Sequence, residues 1–265
     1  MSINDKLKEL EQVKGDNQNK VFSMYLNTDR RQFDSQHGEW EIQLKNGLRN
    51  FEDYIEKSGD EQELKNFKKI REKVENEVSR LDDNLRRGLV IFANSDDSLW
   101  YVQLTQVPVE TNMYWETEPK LEQFKELVNK YPNTGLVLVQ HNNVKVIETE
   151  MGFVKDSINY EWDIGMDNWR IYEGSFTGDR TDKTNASAQD LYEDRVKANR
   201  ERWYKEMAEK LHEKAEKHHW DKIVVAGRKD EAEELAGNMG QLNPEIVNKN
   251  LASKKDEEVV RELVS

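Results

Sequence analysis

The long helices are the clearest elements that the hydrophobic pattern predicts. A first stripe at the spacing of one helix face consists of Trp40, Leu44, Leu48, Phe51 and Ile55. A second stripe at the same spacing consists of Leu64, Phe67, Ile70, Val74, Val78 and Leu81. Because only the turn Ser58-Gly59-Asp60 separates the two stripes, we expect an antiparallel helix pair.

Short apolar runs predict the strands of the first half. These strands are Val21–Leu26, Gly88–Ala93 and Leu99–Leu104, and a short helix over Asp5–Val13 precedes them. The turn 94–98 makes the last two strands a hairpin. A further helix is predicted to begin at Thr117-Glu118-Pro119 and to run through Leu127, because proline is favoured in the first helical turn.

The second half has its own order of strands and helices after a predicted domain joint at Tyr131–Gly135. A meander of three strands is predicted over Leu136–Gln140, Asn143–Glu148 and Val154–Trp162. A polar loop over Gly174–Gln189 then leads into a long helix. The stripe of that helix is made of Tyr192, Val196, Trp203, Met207, Leu211 and Ala215. A buried strand over Ile223–Gly227, a helix over Asp230–Asn238, a short strand near Val247 and a helix over Lys254–Leu263 complete the pattern.

These elements predict an α/β protein of two domains, residues 1–130 and 135–265. We expect the first domain to be of α+β type and the second to be a mixed sheet covered by helices. The loop 174–189 would be carried by the second domain, in the position where a rigid scaffold commonly presents a functional loop.

Composition and charge restrict the classes of function that the protein can have. The chain of 265 residues has 40 basic and 53 acidic residues, a net charge of −13, and no cysteine. Disulfides and thiolate metal sites are therefore excluded. The N-terminus lacks the pattern of a signal peptide and no apolar run is long enough to span a bilayer, so we expect a cytoplasmic protein without a membrane partner. An acidic chain is also a poor general binder of DNA, and any RNA contact needs a local basic patch.

The order of these segments resembles a known family, the archaeo-eukaryotic type of class-1 peptide-chain release factor, and in particular its bacterial relatives. The resemblance is carried by the strand Val21–Leu26, the two long helices, the strand Gly88–Ala93 and the stretch Tyr114–Pro119. It continues through Gly135–Val139, the loop, the Arg-rich helix and Ile223–Gly227. The resemblance implies a release-factor N domain followed by an RNase-H-like middle domain. In that family the middle-domain loop carries Gly-Gly-Gln, which positions water for hydrolysis of the peptidyl-tRNA ester.

This chain departs from the family at that motif. No Gly-Gly-Gln occurs, and an ungapped count back from the long helix places Asn185-Ala186-Ser187 on it. A shift of two residues places Gln189 on the family's glutamine, with Ser187-Ala188 on its glycines. The resemblance therefore implies Gln189, Ser187 and Asn185 as candidate catalytic residues. Alanine or serine in place of glycine restricts the backbone of such a loop.

Local charge indicates where RNA could be contacted. From Asp179 to Asp194 the loop region has two basic and five acidic residues, which disfavours entry between RNA phosphates. From Arg195 to His219 the long helix has eight basic and five acidic residues. The candidate RNA-binding residues are Arg195, Lys197, Arg200 and Arg202. The alternative is that these side chains form an ordinary solvated and ion-paired helix face.

No motif predicts a cofactor or a metal site. The run His212-Glu213-Lys214-Ala215-Glu216 lacks the second histidine of a zinc-protease helix, and the adjacent His218 and His219 point apart on a helix.

Two functions remain open on the sequence alone. In the first, the protein acts at the ribosome or on peptidyl-tRNA and hydrolyses its ester during ribosome rescue. In the second, it is a non-catalytic module that binds the ribosome or another protein through a degenerate loop. The sequence leaves the oligomeric state undetermined.

Overall fold

The helical and alternating patterns both become regular structure in the computed structural model of the chain. It describes residues 2–29, 39–163, 168–173 and 186–264, and side chains within those ranges except at residue 83 and at residues 163–196. The chain divides into two compact units, Ile3–Lys130 and Tyr131–Ser265. Within the described ranges, no helix is both long enough and apolar enough to cross a membrane.

The first unit is a four-stranded antiparallel sheet with two pairs of helices. Its helices are α1 (Ile3–Glu11), α2 (Glu39–Ser58), α3 (Glu61–Leu81) and α4 (Glu122–Lys130). Its strands are β1 (Val21–Asn27), β2 (Gly88–Asn94), β3 (Trp100–Thr105) and β4 (Asn112–Glu116). The strand order is β3-β2-β1-β4, and all neighbouring strands are antiparallel.

The predicted helix pair α2–α3 covers one face of this sheet. Its buried stripe packs on the strands around Phe67, whose ring makes edge contacts with Phe22 and Trp115 at centroid distances of 6.1 and 5.3 Å. The N-cap residue of α3 is Asp60, whose side chain accepts a hydrogen bond from the backbone N–H of Glu63. This cap satisfies one of the free N–H groups at the start of the helix.

The helix that was expected to begin at Thr117–Pro119 begins at Glu122 instead. The phenol of Tyr25 explains the later start. Its hydroxyl donates to the backbone carbonyl of Lys120 at 2.6 Å and accepts from the backbone N–H of Phe124 at 3.3 Å. The chain before α4 is therefore bound to β1 in a non-helical conformation, and the same hydroxyl caps a free N–H of the first helical turn. Burial raises the pKa of the Tyr25 hydroxyl, so the group stays a neutral donor.

The second unit is a six-stranded mixed sheet with helices on both faces. Its strands are β5 (Thr134–Gln140), β6 (Asn143–Glu150), β7 (Phe153–Asp163), β8 (Asn168–Glu173), β9 (Lys222–Gly227) and β10 (Glu245–Val247). Its helices are α5 (Ala186–His218), α6 (Lys229–Asn238) and α7 (Asp256–Leu263). The order is β10-β9-β5-β6-β7-β8, with β9 parallel to both β5 and β10 and the other pairs antiparallel.

Each face of this sheet has a separate core. Helices α5 and α6 pack on one face against Val137, Val139, Val144, Val146, Tyr160, Trp162, Ile223 and Val225. Helix α7 and Leu251 pack on the other face against Leu136, Leu138, Ile147, Val224 and Ala226. Strands β5 and β9 contribute to both cores, which explains their continuous apolar sequences.

The α/β fold class predicted from the sequence is confirmed, with corrections to particular elements. Strands β4 and β8 were not predicted. Helix α5 begins at Ala186, so residues 186–189, which were expected to end the loop, are helical. Their side chains Ala186, Ala188 and Gln189 are good helix formers, which favours this earlier start. The remainder of the predicted loop, 174–185, lies outside the described residues.

Removing the Tyr25 hydroxyl tests how α4 is held. In Tyr25→Phe the carbonyl of Lys120 and the N–H of Phe124 lose their partner, and we expect a loss of about 1–3 kcal/mol in the free energy of unfolding. Urea unfolding followed by tryptophan fluorescence measures this loss as a lower midpoint without a change of slope.

The matched control is Tyr101→Phe in the same unit. The Tyr101 hydroxyl donates to the side chain of Gln103 at 2.9 Å, and this acceptor is not a backbone group of a helix start. We expect a smaller loss there. Equal losses in the two variants would show that α4 does not depend on Tyr25.

Candidate functional site

Helix α5 is the element that would carry the predicted site, and its described part is fixed firmly to the sheet. The buried side chains are Trp203, Tyr204, Met207, Ala208, Leu211 and Ala215. They recur every three or four residues, as the stripe predicts. Trp203 stacks on Trp162 of β7 at a centroid distance of 5.9 Å and an interplanar angle of 20°. This packing orients the helix on the sheet.

A buried carboxylate ties the C-terminal half of α5 to β6. The side chain of Glu148 is only 6% exposed, and its Oε1 accepts from Lys214 Nζ at 2.8 Å. Its other oxygen, Oε2, lies 2.9 Å from His218 Nδ1. Lys214 and His218 are four residues apart, so they are neighbours on one helix face. A second carboxylate, that of Asp156 on β7, lies 3.8 Å from the same lysine nitrogen.

Asn133 caps the C-terminus of α5. Its side-chain N–H groups donate to the carbonyls of His218 and His219 at 2.6 and 2.9 Å. His219 has a φ of 53°, and the N–H of Trp220 donates to the carbonyl of Ala215. This is a Schellman ending in which a histidine takes the left-handed position that glycine usually occupies. The C-terminus of α5 is thus bonded to the chain that begins β5.

The three candidate catalytic residues lie at or before the N-terminus of the same helix. Ser187 and Gln189 fall within the first turn of α5. Asn185 immediately precedes the helix and lies outside the described residues, as do the side chains of Ser187 and Gln189. The structure therefore places the backbone of two candidates, Ser187 and Gln189, on the helix.

The candidate RNA-binding residues differ in their surroundings. Lys197 and Arg202 are exposed, whereas the side chain of Arg200 is 32% exposed and its Nη2 donates to Glu234 Oε2 of α6 at 2.9 Å. Arg200 Nε is buried without a hydrogen-bond partner among the described residues. Arg200 thus lies in the seam between α5 and α6 and is the least accessible of these three. The side chain of Arg195 lies outside the described residues.

Tyr204 lies next to that seam and is fully buried. Burial raises the pKa of its hydroxyl, and the nearby carboxylate of Glu231 raises it further. A neutral phenol beside Arg200 and Glu234 is a packing group and offers no base at neutral pH. Among the described residues, no group of three histidine, aspartate or glutamate side chains could hold a metal ion.

Sequence reasoning missed the side chains that anchor α5. Glu148 lies in a strand of alternating pattern, and nothing in its neighbourhood distinguishes it from a solvent-facing acid. Asn133 was recognised only as part of a joint. Lys214 lies 66 residues from Glu148 in the sequence, and His218 lies 85 residues from Asn133. No local pattern reveals contacts at such separations.

Comparisons with known proteins identify the class. Residues 132–265, the second unit almost in full, match the model of Bacterial archaeo-eukaryotic release factor family 5. A Bacillus subtilis (strain 168) protein described as Uncharacterized protein YocB is 33% identical over 264 residues, which cover 100% of this chain and 99% of that protein. The chain belongs to the bacterial archaeo-eukaryotic release factor family and is a release-factor-like protein.

Solved structures show a more distant likeness. The crystal structure of the archaeal translation termination factor aRF1 has a TM-score of 0.33 and 13% identity, covering 98% of this chain and 72% of that chain. A second structure, titled Archaeal protein, has a TM-score of 0.32 and 13% identity, covering 99% and 73%. Scores this low add no support beyond the family match.

Neutralising Glu148 tests the anchor of α5. In Glu148→Gln the ammonium of Lys214, only 15% exposed, loses its closest carboxylate. Breaking a buried pair by removing one partner typically costs about 3–5 kcal/mol, and the neutral amide still accepts a hydrogen bond. We expect a loss of about 2–4 kcal/mol in the unfolding free energy of the second unit, measured by urea unfolding.

Two further variants serve as controls for the effect of Glu148→Gln. Glu150→Gln removes a neighbouring carboxylate whose partner Lys155 is 52% exposed, and we expect less than about 1 kcal/mol. Lys214→Met combined with Glu148→Gln should recover part of the loss, because no ammonium is then left without its carboxylate. Equal losses of unfolding free energy in Glu148→Gln and Glu150→Gln would show that Glu148 does not anchor α5.

Proposed function

We propose that this release-factor-like protein acts at the ribosome in the cytoplasm as a binding module, without ester hydrolysis of the Gly-Gly-Gln type. In this proposal the first unit corresponds to the release-factor N domain and the second to the middle domain. The exposed cations Lys197 and Arg202, which lie toward the middle of α5, would contact ribosomal RNA or tRNA.

The helical start of α5 is the observation that carries the proposal. Ser187 and Gln189 have helical backbone, whereas the family's motif lies in a loop and uses two glycines. Glycine allows backbone conformations and close approaches that alanine and serine restrict. A glutamine on the first turn of a helix lacks the adaptable main chain that would place its amide and a water against an ester carbonyl.

The charges of α5 support a limited RNA contact. Lys197 and Arg202 are exposed, and the structure gives neither an ion pair among the described residues. Glu201, beside Arg202, is also exposed, so the patch is small. Each phosphate that a lysine or arginine neutralises releases counterions, which makes such binding sensitive to salt.

Charge reversal at α5 tests ribosome binding. We expect Lys197→Glu and Arg202→Glu each to reduce co-sedimentation with ribosomes at low salt and to flatten the dependence of binding on salt concentration. Arg200→Glu should instead lower the unfolding midpoint, because a carboxylate would face Glu234. Circular dichroism of each variant separates lost binding from lost folding.

Lys255→Glu is the matched control, since Lys255 is exposed in the same unit and the charge change is the same. If all three variants co-sediment with ribosomes as well as the wild type does, α5 is not part of the interface. These variants are Lys197→Glu, Arg202→Glu and Lys255→Glu. Absence of co-sedimentation in the wild type would overturn the proposal itself.

The alternative function is peptidyl-tRNA hydrolysis, and Gln189 is the residue that would carry it. We expect the wild-type protein to release no peptide from peptidyl-tRNA on ribosomes. Should it do so, Gln189→Ala would lower the rate at least about tenfold if the amide orients water or donates to the developing oxyanion. Hydrolysis that survives this change would point to Asn185 or Ser187, and Asn185→Ala and Ser187→Ala would test them.

A further inference from the structure

Strand β3 is an edge of the first sheet that carries no charge. Its sequence is Trp100-Tyr101-Val102-Gln103-Leu104-Thr105. The other edge strands of the described sheets, β4, β8 and β10, each contain at least one charged residue, such as Glu116, Arg170 or Glu245. Natural edge strands are usually blocked by charge, proline or a bulge, because an open edge pairs with other chains. Strand β3 pairs with β2 without a register shift and contains no proline.

The hydrogen-bond register shows which backbone groups face the open side. The N–H of Asn94 donates to the carbonyl of Leu99, so this pair is of the hydrogen-bonded kind. Such pairs alternate in an antiparallel ladder, which assigns Tyr101 and Gln103 to the β2 side. The N–H and C=O groups of Trp100, Val102 and Leu104 therefore point away from the sheet. In agreement, the side chain of Gln103 donates to the carbonyl of Leu104 at 2.8 Å.

We propose that β3 pairs with β3 of a second copy of this chain, antiparallel, about a two-fold axis at Val102. Val102 then faces its own counterpart, and Trp100 faces Leu104 of the second copy. The Val102–Val102 and Trp100–Leu104 pairs are both of the hydrogen-bonded kind. The reason is that Trp100, Val102 and Leu104 all present their backbone groups outward. The two four-stranded sheets become one continuous sheet of eight strands.

The side chains at this junction complement each other. Trp100, Val102 and Leu104 are partly buried and pack on the same core as α2 and α3, so their pairs across the axis extend an apolar face. Tyr101 faces Gln103 on the opposite face. Gln103 already accepts from Tyr101 and donates to the Leu104 carbonyl within its own copy, so the pairing needs no contact from its side chain. A two-fold contact of this kind closes on itself.

The absence of charge makes β3 a surface at which two copies of this chain repel each other least. With a net charge of −13, two copies repel over most of their surfaces. At β3 no carboxylate or ammonium lies in the strand, so self-pairing brings no like charges into register. The lysines beside it, Lys73 over the Trp100 ring and Lys6 over the Tyr101 ring, are paired with Asp97 and Glu9.

Sedimentation velocity of the full chain from about 1 to 100 µM tests this pairing. We expect a dimer whose population rises with concentration. Val102→Pro removes the outward N–H but no hydrogen bond to β2, a change that edge strands tolerate, and should weaken the dimer about tenfold or more. Val102→Thr is the matched control, because it keeps the N–H and a β-branched side chain, and should leave the dimer unchanged.

A second variant, which is expected to strengthen the dimer, makes the test independent of any folding defect in Val102→Pro. Gln103→Ala frees the carbonyl of Leu104 from its own side chain and should strengthen the dimer. A monomer at every concentration would overturn the proposal, including the case in which β3 accepts a strand from a different protein. A dimer that neither Val102→Pro nor Gln103→Ala alters would show that the copies meet at another surface.

Discussion

The second unit depends on the close fit between the C-terminal end of α5 and the start of β5. A Cβ on Gly135 would lie 2.3 Å from the indole ring of Trp220, so only glycine allows this tryptophan to cover the strand. Trp220 reaches that position because His219 turns the chain through a left-handed conformation. The carbonyls exposed by the turn are bound by Asn133, two residues before Gly135. The Asn133 cap, the left-handed conformation of His219 and the contact between Gly135 and Trp220 therefore act together. They fix where α5 ends and where β9 begins.

Pairing of charges supplements this packing along α5. The helix has many ionisable residues, and two that are partly buried have complementary partners on other elements, Lys214 on β6 and Arg200 on α6. A buried ion pair adds little net stability compared with apolar packing, but it penalises arrangements in which one partner is left alone. These pairs consequently specify the rotation of α5 about its axis more than they add to its stability. Exposed cations such as Arg202 are left for the solvent or for a partner.

The sequence predicted best what depends on short-range periodicity. The stripes of α2, α3 and α5 were recognisable because buried residues recur at three and four positions over many turns. Strand β4 was missed because its five residues follow an irregular stretch and only Trp115 among them is buried. The start of α4 was placed too early because Pro119 is a favourable helix start locally, whereas Tyr25, almost a hundred residues away, binds the chain there. Contacts at such separations leave no local pattern.

The candidate site shows the same division between what short-range periodicity predicts and what it does not. The long helix and the strand after it follow from periodicity, and the family match spans them. At the N-terminal end of that helix, Ala186, Ala188 and Gln189 have high helix propensity, and glycine in their place would disfavour a helix by about 1 kcal/mol each relative to alanine. Alanine and serine in place of the glycines that the resemblance implies here would have two coupled effects. They would restrict the backbone of this segment, and they would allow the scaffold helix to extend into it, as the helical start at Ala186 does.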